Sequence, residues 1–296
     1  MRSIRLALIG LDTSHTLAFT QAIQGDSRVE ELSTLTVTKA YRFPSVFCDE
    51  AEQEKRQKSL MELGVKMAAS IETALIDVDA VLLEINDPGL HADFFAQVAD
   101  SGLPVFIDKP LAGNLEDAKN IVHLAKNNNL NAWSSSCLRY VNEVATARSE
   151  IPNPEFVTVY GPIGQAASGS DLIWYGCHAA EMLITLMGGG AKSVQAQKSQ
   201  NSVIIQVEYP DGKRGLIECN KDTYHFGGRL MTKELIHTFC VDAKQSLYHN
   251  LLIRIRDWLT GGTIPVPLET ASEVISILSA AEKSLELGQS VQIPVS

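Results

Sequence analysis

Hydrophobic positions in the first 135 residues fall in short, nearly continuous runs separated by stretches of helical spacing. Residues 4–9 (IRLALI) form a compact β-compatible run, Gly10-Leu11-Asp12 turns the chain, and residues 13–24 carry a helix that Gly25 stops. The alternation repeats: an apolar run over 32–40, a polar helix over 49–63 ended by Gly64, and a strand at 65–68. The nearly unbroken run DAVLLEI follows at 79–85, then a helix over 89–100 and a strand at 104–108. Asn114 can cap a helix that runs to 126, and residues 131–135 supply a sixth strand. Strands without polar alternation are covered on both faces, and strands that alternate with helices pair in parallel through right-handed crossovers. The pattern predicts an α/β fold whose first domain, residues 1–135, is a Rossmann-type, doubly wound parallel sheet suited to a dinucleotide.

The rhythm changes after residue 135. Runs at 157–160, 193–197, 203–207, 215–219 and 234–239 read as strands with few intervening helices, and residues 269–287 as a late amphipathic helix. They predict an α+β domain over 136–296 with a mainly antiparallel sheet. In the run VIIQV at 203–207 apolar side chains go to both faces of that sheet.

Composition narrows the partners. With 45% hydrophobic and 20% charged residues the chain can bury a sizeable core, and a net charge of −10 disfavours nucleic acid and anionic membrane surfaces, leaving small molecules. The five cysteines contain no C-x-x-C pair and read as reduced thiols, which points to the cytoplasm. The N-terminal apolar run is too short for a signal or membrane segment, and no later run approaches the roughly 20 apolar residues of a span.

In a doubly wound sheet the turn after the first strand is the expected phosphate site. Here it reads Gly10-Leu11-Asp12-Thr13-Ser14-His15, and of the fingerprint G-x-G-x-x-G only Gly10 is present. Asp12 reads either as a helix cap accepting from the amides of Ser14 or His15, or as the neighbour of a diphosphate displaced onto the hydroxyls of Thr13 and Ser14. At the end of the second strand the chain reads Thr38-Lys39-Ala40-Tyr41-Arg42, with no carboxylate for a ribose; Lys39 and Arg42 suit a 2′-phosphate, so the cofactor reads as NAD or NADP.

The segments Asn86-Asp87-Pro88-Gly89-Leu90-His91 and Asp108-Lys109-Pro110, with Ser136-Cys137-Leu138-Arg139-Tyr140 and Tyr175-Gly176-Cys177-His178-Ala179-Ala180-Glu181, resemble the Gfo/Idh/MocA family of oxidoreductases. The resemblance extends over nearly the whole chain. It implies a nicotinamide cofactor contacted by Gly10, Asp12, Thr13, Ser14, His15, Thr38, Lys39, Asn86, Pro88, His91 and Asp108. It also implies a sugar, polyol or related hydroxy compound as substrate, contacted by Arg139, Trp174 and Tyr175. Lys109 and His178 become the catalytic pair. A histidine suits removal of a hydroxyl proton near neutral pH, and an ammonium group stabilises the developing alkoxide. Assembly as a homodimer or homotetramer through the second sheet follows from the same resemblance.

Many dehydrogenases of the family carry an aspartate four residues before the histidine, where this chain has Trp174. That departure, with Asp12 and His15, keeps two alternatives open: a binding or regulatory protein on the same scaffold, and a nonredox lyase or isomerase. No metal site is expected, because Cys177 and His178 are adjacent and do not easily share one helix face, and only His15 and His178 are left as a remote metal pair. Residues 134–136 (Ser-Ser-Ser) read as a strand exit, with no G-x-S-x-G to make any of them a nucleophile.

Overall fold

Six parallel strands form the first sheet: β1 (Ile4–Ile9), β2 (Leu35–Tyr41), β3 (Lys66–Met67), β4 (Ala80–Leu83), β5 (Val105–Ile107) and β6 (Ala132–Ser134), in the order β3-β2-β1-β4-β5-β6. The helices between them are α1 (His15–Gln24), α2 (Glu50–Glu62), α3 (Ile71–Ala74), α4 (His91–Ala99) and α5 (Leu115–Asn127). The computed structural model describes residues 3–26, 28–242 and 244–294. Every residue of β4 and β5 is buried, which explains their unbroken apolar composition. The strand order reverses between β1 and β4, the position where such sheets open a crevice at their carboxyl ends. There the two backbones nearly touch: Gly10 has φ +108°, and a Cβ on it would lie 2.1 Å from the carbonyl oxygen of Glu84. Glycine is required at that position by packing alone.

The expected elements recur with shifted ends. The second strand starts at Leu35 because Glu30–Leu32 forms a 3-10 turn, and Pro88–Leu90 does the same ahead of α4. The short α3, unforeseen in the pattern, rests on a capping box in which Ser70 and Thr73 exchange side-chain and backbone hydrogen bonds.

The second part of the chain adds α6 (Asn142–Glu150), β7 (Phe156–Pro162), α7 (Asp171–Met187), β8 (Ser193–Lys198), β9 (Ser202–Glu208), β10 (Arg214–Asn220), β11 (Gly227–Met231) and β12 (Ile236–Cys240), then α8 (His249–Leu259), α9 (Leu268–Leu287) and β13 (Val291–Gln292). The sheet order is β12-β11-β7-β10-β9-β8-β13, antiparallel except for the parallel pair β7 and β10. It is mixed because the connection through α7, β8 and β9 brings β10 back in the direction of β7. Strand β11 escapes a propensity reading because it opens with Gly227 and Gly228, where Cβ atoms would collide with the Tyr160 hydroxyl and the Thr158 carbonyl.

The chain divides into two compact units, residues 1–134 with 248–268, and residues 135–247 with 269–296. The segment carrying α8 therefore clusters with the first unit, although its sequence position falls in the stretch expected to be one second domain. Trp258 on α8 explains why: its ring meets Trp133 edge-on at 5.9 Å, and its Nε1 donates to Asn131 Oδ1 at 2.8 Å. Among the described residues no helix is long and apolar enough to cross a membrane.

Candidate functional site

At the carboxyl ends of β1, β4 and β5 the first unit gathers four ionisable side chains. His15, the first residue of α1, sets Nδ1 2.6 Å from Asp108 Oδ2, and its ring stacks on Phe19 and meets Tyr248 at 4.8 Å. Glu84 directly follows β4 and is fully buried, and neither carboxylate oxygen has a hydrogen-bond partner among the described residues. Asp108 and Lys109, directly after β5, are also buried. Burial, and then the charge of Asp108, push the Glu84 carboxyl well above its ordinary range, with Lys109 opposing them. Burial pushes Asp108 up too, but the charge and hydrogen bond of His15 and the charge of Lys109 outweigh it and hold Asp108 below its usual range. Two carboxyl groups driven apart in this way let one keep a proton while the other is ionised.

The turn residues depart from the capping expectation. Asp12 does not cap α1. Its Oδ1 accepts from the Asn86 amide at 3.0 Å and its Oδ2 from Ser45 Oγ at 2.7 Å, so the carboxylate fastens the exit of β1 to that of β4. Thr13 Oγ1 takes the His15 amide, and Ser14 makes no capping hydrogen bond. Asn86 also donates through its side chain to the Asp12 carbonyl at 3.4 Å.

Four residues expected at the cofactor have partners within the protein. Lys39 donates to the carbonyls of Thr73 and Ile76 beside α3, and Arg42 pairs with Glu50 Oε1 at 2.7 Å; both cations proposed for a 2′-phosphate have protein partners. Thr38 Oγ1 donates to the Leu6 carbonyl at 3.3 Å, inside the sheet. His91 is wholly buried, with Nε2 2.8 Å from the Ile85 carbonyl oxygen and Nδ1 3.2 Å from that of Leu111. It ties two loops together, and Pro88, buried in its 3-10 turn, helps shape one of them.

In the second unit, α7 begins at a Ser170 cap whose Oγ accepts from the Ile173 amide and donates to Glu282. His178 on this helix is buried, and its Nδ1 lies 2.7 Å from Ser136 Oγ, which also accepts from the Leu138 amide. One turn on, Glu181 accepts from Ser135 Oγ at 2.6 Å, from the Ser136 amide at 2.9 Å and from Arg139 Nε at 2.9 Å. Arg139, expected at the substrate, pairs with Glu181 through Nε in this structure. Trp174 and Tyr175 line a cavity of about 480 Å³ with Asp171, Asn220, Lys221 and Tyr224. The Tyr175 ring meets His178 edge-on at 5.1 Å.

Glu84, Ser45 and the pair Ser135 and Ser136 were missed as site residues. An acid at the end of an apolar run, and hydroxyls read as a strand exit, carry no local signature; the only available signal was Glu84 itself, a charge in DAVLLEI where an apolar residue would pack. The potential metal ligands differ from expectation: no metal site is expected from the sequence, whereas His15, Glu84 and Asp108 each offer a ligating atom within 4.8 Å of the others.

Residues 4–135 match the sequence model of the Gfo/Idh/MocA oxidoreductase family, NAD-binding Rossmann fold. No curated protein matches the chain. Among solved structures the fold resembles a probable dehydrogenase from Thermotoga maritima, with TM-score 0.82 and 16% identity over 98% of this chain and 99% of that one. It also resembles scyllo-inositol dehydrogenase from Lactobacillus casei, solved with NAD(H) and scyllo-inositol, with TM-score 0.81 and 14% identity over 99% of each chain. Myo-inositol 2-dehydrogenase from Lactobacillus plantarum gives TM-score 0.81 and 16% identity over 99% of this chain and 100% of that one. The chain is thus similar to the Gfo/Idh/MocA oxidoreductase family over residues 4–135, its first domain, and shares the fold of these solved structures over nearly its whole length.

Proposed function

We propose that the protein is an NAD-dependent dehydrogenase of a sugar, polyol or related hydroxy compound. The observation that carries this reading is Lys109, buried at the carboxyl end of β5 beside the His15–Asp108 pair in an NAD-binding Rossmann domain. The residues of the first turn suit the dinucleotide. Its one acid, Asp12, is occupied by Ser45 and the Asn86 amide, and α1 opens with no side-chain cap and no acid in its first turn among the described residues. An N-terminus of that kind favours a diphosphate. NAD is preferred to NADP because Lys39 and Arg42 are engaged within the protein.

Bound nicotinamide supplies the hydride acceptor for the carbinol carbon. The chain's part is the other half: His178 takes the hydroxyl proton and Lys109 stabilises the alkoxide oxygen until the carbonyl forms. That role requires His178 to donate from Nδ1–H to Ser136 Oγ, leaving Nε2 to receive the proton. The aromatic pair Trp174 and Tyr175, beside polar groups in a cavity of about 480 Å³, fits the apolar face and hydroxyl edge of a saturated ring. Self-association through the outer face of the second sheet, where Ile204 is exposed, and a cytoplasmic location belong to the same proposal.

Calorimetric titration with NAD, NADH, NADP and NADPH tests the reading, followed by an absorbance assay of NADH formation with inositols and sugars. NAD is expected to bind more tightly than NADP, and at least one polyol to reduce it. No binding of any of the four dinucleotides sinks the dehydrogenase reading and leaves a binding protein on the same scaffold.

A further inference from the structure

We propose that His15, Glu84 and Asp108 form a binding site for one divalent cation of the zinc or manganese type. The three residues come from separate parts of the first unit, the start of α1 and the ends of the adjacent strands β4 and β5, yet each offers a ligating atom within 4.8 Å of the others. Their backbones are fixed by the sheet: the Glu84 amide donates to the Ile9 carbonyl and the Asp108 amide to that of Leu83. Glu84 carries the argument. It has no exposed surface, and both of its oxygens lack a hydrogen-bond partner among the described residues. Buried carboxylates ordinarily accept hydrogen bonds or ligate metals. A leucine would pack better at the end of DAVLLEI if packing were the only requirement.

The ligand chemistry selects the ion class. One imidazole nitrogen and two carboxylate oxygens suit zinc or manganese better than calcium, which takes six to eight oxygens. Bonds of roughly 2.1 Å in tetrahedral geometry set ligand atoms about 3.4 Å apart, so a separation of 4.8 Å must close by about 1.4 Å while the 2.6 Å His15–Asp108 contact opens by about 0.8 Å. Side-chain rotation covers that distance. Three protein ligands leave coordination open for an oxygen of water or of a small hydroxy compound. The nearby Lys109 ammonium adds a second positive charge, so the occupied site favours an anionic oxygen such as an alkoxide. Cation binding goes beyond the dehydrogenase reading and does not depend on it.

The test uses the full-length protein, treated with a chelator, dialysed, and titrated with zinc, manganese and magnesium chlorides by calorimetry and thermal melting, with no dinucleotide present. Zinc or manganese should bind at about one ion per chain and raise the melting temperature, with magnesium weaker. Glu84→Gln, which keeps the side-chain shape, should weaken binding by at least about tenfold. His15→Gln is the second probe should Glu84→Gln fail to fold, and exposed Glu62→Gln should bind as wild type. Absence of zinc and manganese binding, or equal binding by wild type and both site variants, overturns the proposal. Failure of dinucleotide binding is read in a separate titration and leaves the result standing.

Discussion

The two units each bury a cluster of ionisable groups, and they treat a buried carboxylate in opposite ways. Glu181 is held by two serines and Arg139, with donors at 2.6, 2.9 and 2.9 Å. Glu84 accepts no hydrogen bond among the described residues, although Lys109 and Asp108 stand close enough to shift its pKa. A saturated carboxylate is part of the frame: it fixes the turn that carries Ser136, and Ser136 fixes His178. An unsaturated one is held by the backbone of a sheet and left to interact with something else. The contrast identifies which unit keeps its polar groups for structure and which exposes a cost that a ligand can relieve.

Lys109→Met and His178→Ala probe both clusters at once and should have the largest effects. Each is expected to lower turnover by about two to four orders of magnitude, with the melting temperature close to wild type. Steady-state kinetics on the polyol identified in the NAD assay measures it, and a variant with near wild-type kcat removes that residue from the mechanism.

Glu181→Ala and Glu84→Gln break the comparison if it is mistaken. Losing Glu181 leaves the partly buried Arg139 without its carboxylate partner and Ser135 and the Ser136 amide without an acceptor, so unfolding free energy should fall by about 2–4 kcal/mol. Glu84→Gln, which removes no hydrogen bond, should change the metal-free protein by less than about 1 kcal/mol. Urea unfolding of the two variants gives both values, and equal losses would show that Glu84 is as structural as Glu181.

Asp12→Ala leaves the Asn86 amide and the Ser45 hydroxyl without their partner, with an expected loss of about 1–3 kcal/mol. A cap at an exposed helix end would cost less. Relief of negative charge beside a diphosphate would make Asp12→Gly tighten dinucleotide binding; with the carboxylate fastening β1 to β4, the substitution should instead loosen the turn and weaken it. Calorimetry distinguishes the two by sign.

The smallest effect is expected at Arg42. Its pair with Glu50 is partly exposed, so Arg42→Ala should cost no more than about 0.5 kcal/mol and leave the preference for NAD over NADP unchanged. A marked loss of NADP binding alone would restore Arg42 to the cofactor.

Element type was legible along most of the chain because it is written in local periodicity: DAVLLEI can only be a covered strand, and the alternation of such runs with helices leaves few topologies. Lys109 and His178 were legible through family motifs, and what they do remains an assignment for the kinetics to test. Strand β11 was hidden by two glycines whose role is to admit Tyr160 and the Thr158 carbonyl, a requirement set by other strands.

Composition, helix and strand order and the family signature were thus determined by residues near one another in sequence. Partners were decided by the tertiary structure. Asp12 meets Asn86 across 74 positions, His15 meets Asp108 across 93, and Trp258 reaches back 127 to Asn131. Hydrogen bonds and charges act over a few ångströms of space, and no local pattern records which distant side chain the fold will bring within that range.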